Sequence, residues 1–212
     1  MRFKRVFYYY WQQIKKYPWS FYLTFVAYGL GIVLASILNP YLYKRIIDLI
    51  SGATPTIELS NQLFHYLFLT AVSVVLYNLC FRAGDYFVSY FQANVIREIH
   101  NDTFRRLMNH SYQFFSNNFS GSLVSKAKRF AASFERISDI ASFHLWFTFV
   151  HLVSVLVVLF LNVPLIAYIL LCWAVLYVCI TGLFIRKKVT YDLLEAAADS
   201  KVTGHFADAI TN

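Results

Sequence analysis

The sequence predicts an all-α membrane protein: four transmembrane helices that run on into long, charged helical extensions outside the bilayer. Three observations predict it. The 212 residues are 58% hydrophobic and only 14% charged, where a water-soluble domain carries about 25% charged residues. The apolar residues come in long blocks free of Asp, Glu, Lys and Arg. The charged stretches between those blocks keep helical periodicity, with no proline between Pro55 and Pro164.

Residues 1–18 are read as a cytosolic, interfacial elbow helix. They mix Arg2, Lys4, Arg5, Lys15 and Lys16 with Tyr8, Tyr9, Tyr10, Trp11 and Tyr17, so rings can sit at headgroup level with cations in water. The alternative is an ordinary aromatic belt around a fraying N-terminus. Pro18 suits the first turn of the next helix, where its missing N–H costs nothing. The apolar run that follows is too long for a signal-peptide core and lacks a small-residue cleavage site, so no cleavable leader is expected.

Residues 19–43 form the first span and residues 59–81 the second; each exceeds the ~20 residues that cross a ~30 Å hydrocarbon core. The uncharged stretch 140–185 is twice as long as one span needs. Asn162-Val163-Pro164 divides it, because proline lacks a donor and disfavours helix at the residue before it. That gives spans 140–161 and 165–185, joined by a tight turn. Lysines and arginines crowd the N-terminus, the segment 82–139 and the segment from Arg186. The positive-inside bias places all three in the cytosol of a plasma (inner) membrane protein. The same bias accounts for the net charge of +8 without nucleic acid as a partner.

The segment 82–139 is read as a cytosolic hairpin. Ile96, Ile99, Phe104, Leu107 and Phe114 recur near helical spacing among Arg97, Glu98, Asp102, Arg105 and Arg106, an amphipathic pattern. The second span therefore continues as one helix over about 60–112, and 123–139 returns as another. Ser116, Asn117, Asn118, Ser120 and Gly121 supply a sharp polar turn between them. Such a hairpin needs partners for its apolar face, whether other parts of this chain or a second copy. A second protrusion begins at residue 186 and is again charged and proline-free. Two rods with turns far from the membrane suggest that something soluble docks on the turns and moves the spans.

Polar groups in the spans are His65, Asn78, His144 and His151. His144 and His151, seven apart, share a helical face and are candidates for a transport pathway or proton relay. Interhelical hydrogen bonding is the plainer role. Arg82 and Asp85 are expected to pair on the surface at the cytosolic end of the second span. The three cysteines, Cys80, Cys172 and Cys179, lie in apolar runs and read as small hydrophobes. No metal-ligand spacing is found.

In order and spacing these residues resemble the transmembrane domain of ATP-binding-cassette exporters. The stretch YQFFSNNFSGSLVSKAKRF, with Arg97 and Leu107 before it and Phe114, Phe115, Gly121, Leu123, Ser125 and Lys126 within it, is similar to the family's first intracellular loop. Pro40 with Ile46-Ile47-Asp48 looks like the end of its first span. KVTGHFADAIT is similar to the region of its second coupling helix. Ser122 and Phe130 stand where the family often has acidic residues. The resemblance covers essentially the whole chain and implies that residues 19–212 are the first two-thirds of a six-span domain. The fifth and sixth spans and an ATPase domain would lie elsewhere, because the chain has no GxxxxGK[ST] loop. It implies contact with nucleotide-binding domains at Gln113, Phe114, Phe115, Ser116, Asn117, Asn118 and Gly121, and at a second turn near residues 199–206 with Ser200, Lys201 and Gly204. It further implies a homo- or heterodimer in contact with membrane lipid and a transport substrate of unspecified class. ATP and Mg would be held by the nucleotide-binding domain and not by this segment, whose residues transmit displacement and do no chemistry. The rival expectation is a four-span anchor whose hairpin docks a soluble partner without transport.

Overall fold

The computed structural model describes residues 2–51, 56–117 and 120–211, and among them there is no strand. Among the described residues four helices are long and apolar enough to cross a membrane: Pro18–Ser51, Ile57–Met108, Leu123–Asn162 and Pro164–Asp192. The chain divides into two units, Met1–Val155 and Leu156–Asn212.

In the first unit, helix α1 (Arg2–Ile14) ends just before α2 (Pro18–Val33), which does start on its proline. A π-helical turn, Leu34–Leu38, carries α2 into α3 (Asn39–Ser51). Pro40 explains that turn. It offers no N–H to the carbonyl of Ser36, and its ring would crowd an ordinary α-turn; widening the preceding turn lets the helix run through without a break. Helix α4 (Ile57–Met108) has 52 residues, about 78 Å at 1.5 Å per residue. Thr56 caps it by accepting the Leu59 N–H at 3.2 Å, and Glu58 lies in its first turn. Arg105 and Arg106 lie in the last turn, as the helix dipole favours.

The short helix α5 (Tyr112–Asn117) and then α6 (Ser120–Asp139) follow. A second π-helical turn, Ile140–Trp146, joins α6 to α7 (Phe147–Asn162). The hairpin is thus α4–α5–α6. Its core is a stripe of α4, Phe91, Val95 and Ile99, against Ala131 and Phe134 of α6 and Tyr10 of α1. Val95 and Ile99 are fully buried, and each such side chain contributes about 1.5–3 kcal/mol. Phe104, expected on that apolar face, is 63% exposed. It follows Ile99 by five residues, which carries it about 140° round the helix.

Spans α2 and α4 run antiparallel in close contact. Gly31 meets Cys80 and Phe81, Gly84 meets Tyr28, and Phe21 meets Phe91. A second core, Tyr28, Ile32 and Val88, is packed by Phe81, Trp146 and Val150. Trp146 donates its indole N–H to the Phe25 carbonyl at 2.9 Å, tying the second π-helical turn to α2.

In the second unit, α7 ends at Asn162 and α8 (Pro164–Thr211) begins at Pro164. The Val163 N–H reaches the Leu159 carbonyl at 2.7 Å, and Phe160 meets Tyr168 edge-on at 5.2 Å. On α8, Val178 is 68% and Leu183 66% exposed, a long apolar surface that hydrocarbon solvates and water does not.

Candidate functional site

The hairpin end is built differently from a plain polar turn. Helix α4 stops at Met108, four residues short of the expected 112, where Asn109 caps it with φ −80° and ψ 0°. The Asn109 N–H bonds the Arg105 carbonyl and the His110 N–H the Leu107 carbonyl. Asn and Ser favour such positions because their side chains compete for backbone partners. The reversal therefore begins at Asn109–Ser111. The residues expected to turn, Ser116 and Asn117, belong to helix α5. Asn118 lies outside the described residues.

Helix α5 presents Gln113 to solvent, while Phe114 and Phe115 are half-buried. The His110 ring stacks on Phe114 at 4.2 Å, and Phe115 meets Phe114 edge-on at 5.5 Å. These ring contacts tie α5 to the end of α4 through His110. Gly121 is exposed in the first turn of α6. Ser200, Lys201 and Gly204 sit in α8, which continues unbroken to Thr211, and their side chains are outside the described set. The turn expected at residues 199–206 is therefore helix. Strong helix formers precede it in Leu-Leu-Glu-Ala-Ala-Ala, residues 193–198, and one glycine costs only about 1 kcal/mol against them.

Helix α1 braces the hairpin, one of the partners within this chain that its apolar face requires. Tyr9 donates to the Asp102 carboxylate at 2.6 Å, and Arg106 donates to the same carboxylate at 3.0 Å while lying 5.4 Å over the Tyr9 ring. Tyr10 donates to the Phe130 carbonyl at 2.7 Å. Lys16 pairs with Glu98 at 2.7 Å. Tyr9 and Tyr10, expected at headgroup level, point into the protein, whereas Phe7 and Tyr8 are 58% and 63% exposed. The i, i+3, i+4, i+7 series Tyr10, Gln13, Ile14, Tyr17 was the signal available for that packing. Burial, then the Asp102 hydrogen bond and charge, push the Tyr9 hydroxyl up to about 12. The Tyr9 hydrogen bond, with Arg106 adding to it, holds Asp102 below the usual carboxylate range.

Polar groups also collect within the spans. Arg82 and Asp85 pair at 3.5 Å with side chains 84% and 48% exposed, the surface pair that the sequence predicts. Asp85 accepts from Tyr28 at 2.8 Å, and Tyr28 is ten residues into α2, about 15 Å from its start by helix rise. His151 reaches Ser36 in the first π-helical turn, Oγ to Nδ1 at 2.8 Å. His144 is exposed in the second π-helical turn. Asn78 bonds back to the Val74 carbonyl of its own helix at 2.8 Å. Among the described residues no three His, Cys, Asp or Glu come together as a metal would need.

The model of the ABC transporter transmembrane region family matches residues 22–212. No curated protein sequence matches the chain significantly. The match takes in all four apolar helices, the hairpin and the whole of α8. The chain belongs to the ABC transporter transmembrane region family and is a multi-pass, membrane-spanning part of an ABC transporter.

Proposed function

We propose that the chain forms part of the translocation pathway of an ATP-driven exporter and carries motion from nucleotide-binding domains into the membrane. The observation that carries this reading is the α4–α5–α6 hairpin. A helix of about 78 Å leaves the apolar region and ends in a small, ring-stacked helical block. The brace of α1 and the core at Val95 and Ile99 stiffen the rod, so a displacement applied at α5 reaches spans α2 and α4 without being absorbed in loops. Gln113, Phe114, Phe115 and Gly121 are the docking residues on this reading, and the α8 segment with Ser200, Lys201 and Gly204 is a second contact.

The nucleotide-binding domain, in the same or a partner chain, holds ATP and Mg; this segment supplies the seat. The working unit is a homo- or heterodimer in the plasma (inner) membrane, with the N-terminus and the hairpin in the cytosol, as the distribution of Lys and Arg supports. The polar groups His144 and His151 in the third span are the candidates for the pathway.

The test uses the assembled transporter with the double substitution Phe115→Ala/Gly121→Leu. ATP hydrolysis should persist while coupled transport falls by about tenfold or more, a loss near 1.4 kcal/mol in coupling. Unchanged transport and unchanged substrate-stimulated hydrolysis would refute the docking role of α5. For the pathway, His144→Ala/His151→Ala should alter the pH profile of transport; an unaltered profile removes the histidines from it.

A further inference from the structure

We propose that the crevice beneath helix α1 holds one acyl chain of an anionic bilayer phospholipid, with its headgroup at Lys4 and Lys15. The crevice has a volume of about 160 Å³ and is walled by Phe7, Trp11 and Ile14 of α1, Phe25 of α2, and Phe134 and Ala141 near the start of the third span. Most polar side chains on its wall are already engaged: Thr24 donates to the Ser20 carbonyl at 2.8 Å, Tyr10 to the Phe130 carbonyl at 2.7 Å, and Ser138 accepts from Gln92 at 3.1 Å. Such walls offer water too few partners to hold it, and an apolar cavity of about 150 Å³ stays dry yet accepts benzene. The space therefore suits a hydrocarbon segment of about six carbons.

Its level in the fold selects the source of that hydrocarbon. Phe25 lies in the second turn of the first span, and Ala141 lies just past the point where the uncharged run of the third span opens. The mouth thus sits at the edge of the hydrocarbon core, where acyl chains begin. On α1, Lys4 and Lys15 extend the wall stripe of Phe7, Trp11 and Ile14 by helical spacing at its two ends, and both are exposed. Residues 1–18 contain five Lys and Arg and no Asp or Glu, so the surface above the crevice complements a phosphate headgroup.

A chain that leaves the bilayer for this crevice gains no hydrophobic free energy, because lipid tails are as apolar as the walls. What it restores are the contacts that an empty void forfeits. Attraction of the headgroup to the lysines then decides which lipid enters. The site should therefore discriminate by headgroup charge. This inference depends on membrane insertion alone and stands apart from ATP coupling.

The full chain is reconstituted in vesicles carrying a trace of phosphatidylglycerol with a photoreactive group within the first six carbons of one acyl chain. Phosphatidylcholine bearing the same group serves as the comparison, and labelled peptides are mapped by mass spectrometry. The anionic probe should label residues 7–14 and 134–142 about threefold or more above the zwitterionic probe. Ala141→Trp, or Ile137→Phe if that variant does not fold, should remove this labelling and leave that of residues 165–185 unchanged. Lys4→Gln/Lys15→Gln should bring the two probes level. Labelling of the crevice no denser than that of 165–185 in the unsubstituted chain would overturn the proposal, as would labelling undiminished in a folded crevice-filled variant. Equal labelling by the two headgroups would overturn its anionic specificity.

Discussion

At Gly84 the approach of two spans is set by a single missing methyl group. A Cβ there would lie 2.6 Å from the Tyr28 ring, closer than any side chain tolerates. Gly84→Ala should therefore push Tyr28 off Asp85 and destabilise the folded chain by about 1–3 kcal/mol. In a Tyr28→Ala background the same change should cost almost nothing, which thermal unfolding of the four members of the cycle would read. Equal costs in both backgrounds would contradict the packing described. Tyr9 and Asp102 set a second residue-scale expectation, a pH window for the docking of α1. The Asp102 carboxylate, held low, stabilises docking above the ordinary aspartate range, and that contribution is lost as pH falls through the lowered value. The neutral Tyr9 hydroxyl, pushed up to about 12, stabilises docking below its ordinary 10.0 and is lost as pH rises through the raised value. Energy transfer between probes on α1 and α6 should be flat from about pH 5 to 10 and fall outside that range. Because burial also raises the Tyr10 hydroxyl, which bonds the Phe130 carbonyl, Tyr9→Phe should weaken the alkaline limb and Tyr9→Phe/Tyr10→Phe remove it; a limb unchanged in Tyr9→Phe would exclude Tyr9 as a source. Neither pairing was legible in the sequence, because Gly84 and Tyr28, or Tyr9 and Asp102, are far apart in the chain and meet only once the helices pack.

The helices themselves were far more legible. Proline placement marked the start of α2 and the division between α7 and α8, since a missing N–H acts locally and needs no tertiary partner. The length of α4 followed from the absence of breakers beyond the apolar run. Where the reading failed, a helix face or a helix end decided. Phe104 was assigned to the buried face by its character, although five residues from Ile99 it must turn outward. Helix α4 ends at Met108, before the expected 112, the short helix α5 takes in Ser116 and Asn117, and the turn expected near Gly204 is helix. Spacing therefore separates the two aromatic or aliphatic positions energetically. Ile99→Ala should destabilise the hairpin by about 2–5 kcal/mol, while Phe104→Ala should stay within about 0.5 kcal/mol. Protease sensitivity of residues 82–139 in reconstituted vesicles would measure both. Similar sensitivity of the two variants would place the hairpin core elsewhere.

On the scale of the whole molecule, four apolar helices and the family match define a membrane-spanning part of an ABC transporter. The sequence made that much readable because hydrocarbon imposes a blunt requirement, long uncharged helices, that survives any detail of packing. The contact of Asp85 with Tyr28 was not readable, since it depends on the register of α4 against α2. The brace of α1 joins the N-terminal segment to the same rod that enters this region. The proposed coupling requires α5 to be the seat of a nucleotide-binding domain. A photoreactive amino acid in place of Gln113, activated in membranes of the source cells, tests that most directly. It should capture a domain bearing a GxxxxGK[ST] phosphate loop, with a yield that changes when ATP is added. Capture of no such domain, or a yield indifferent to ATP, would contradict the account.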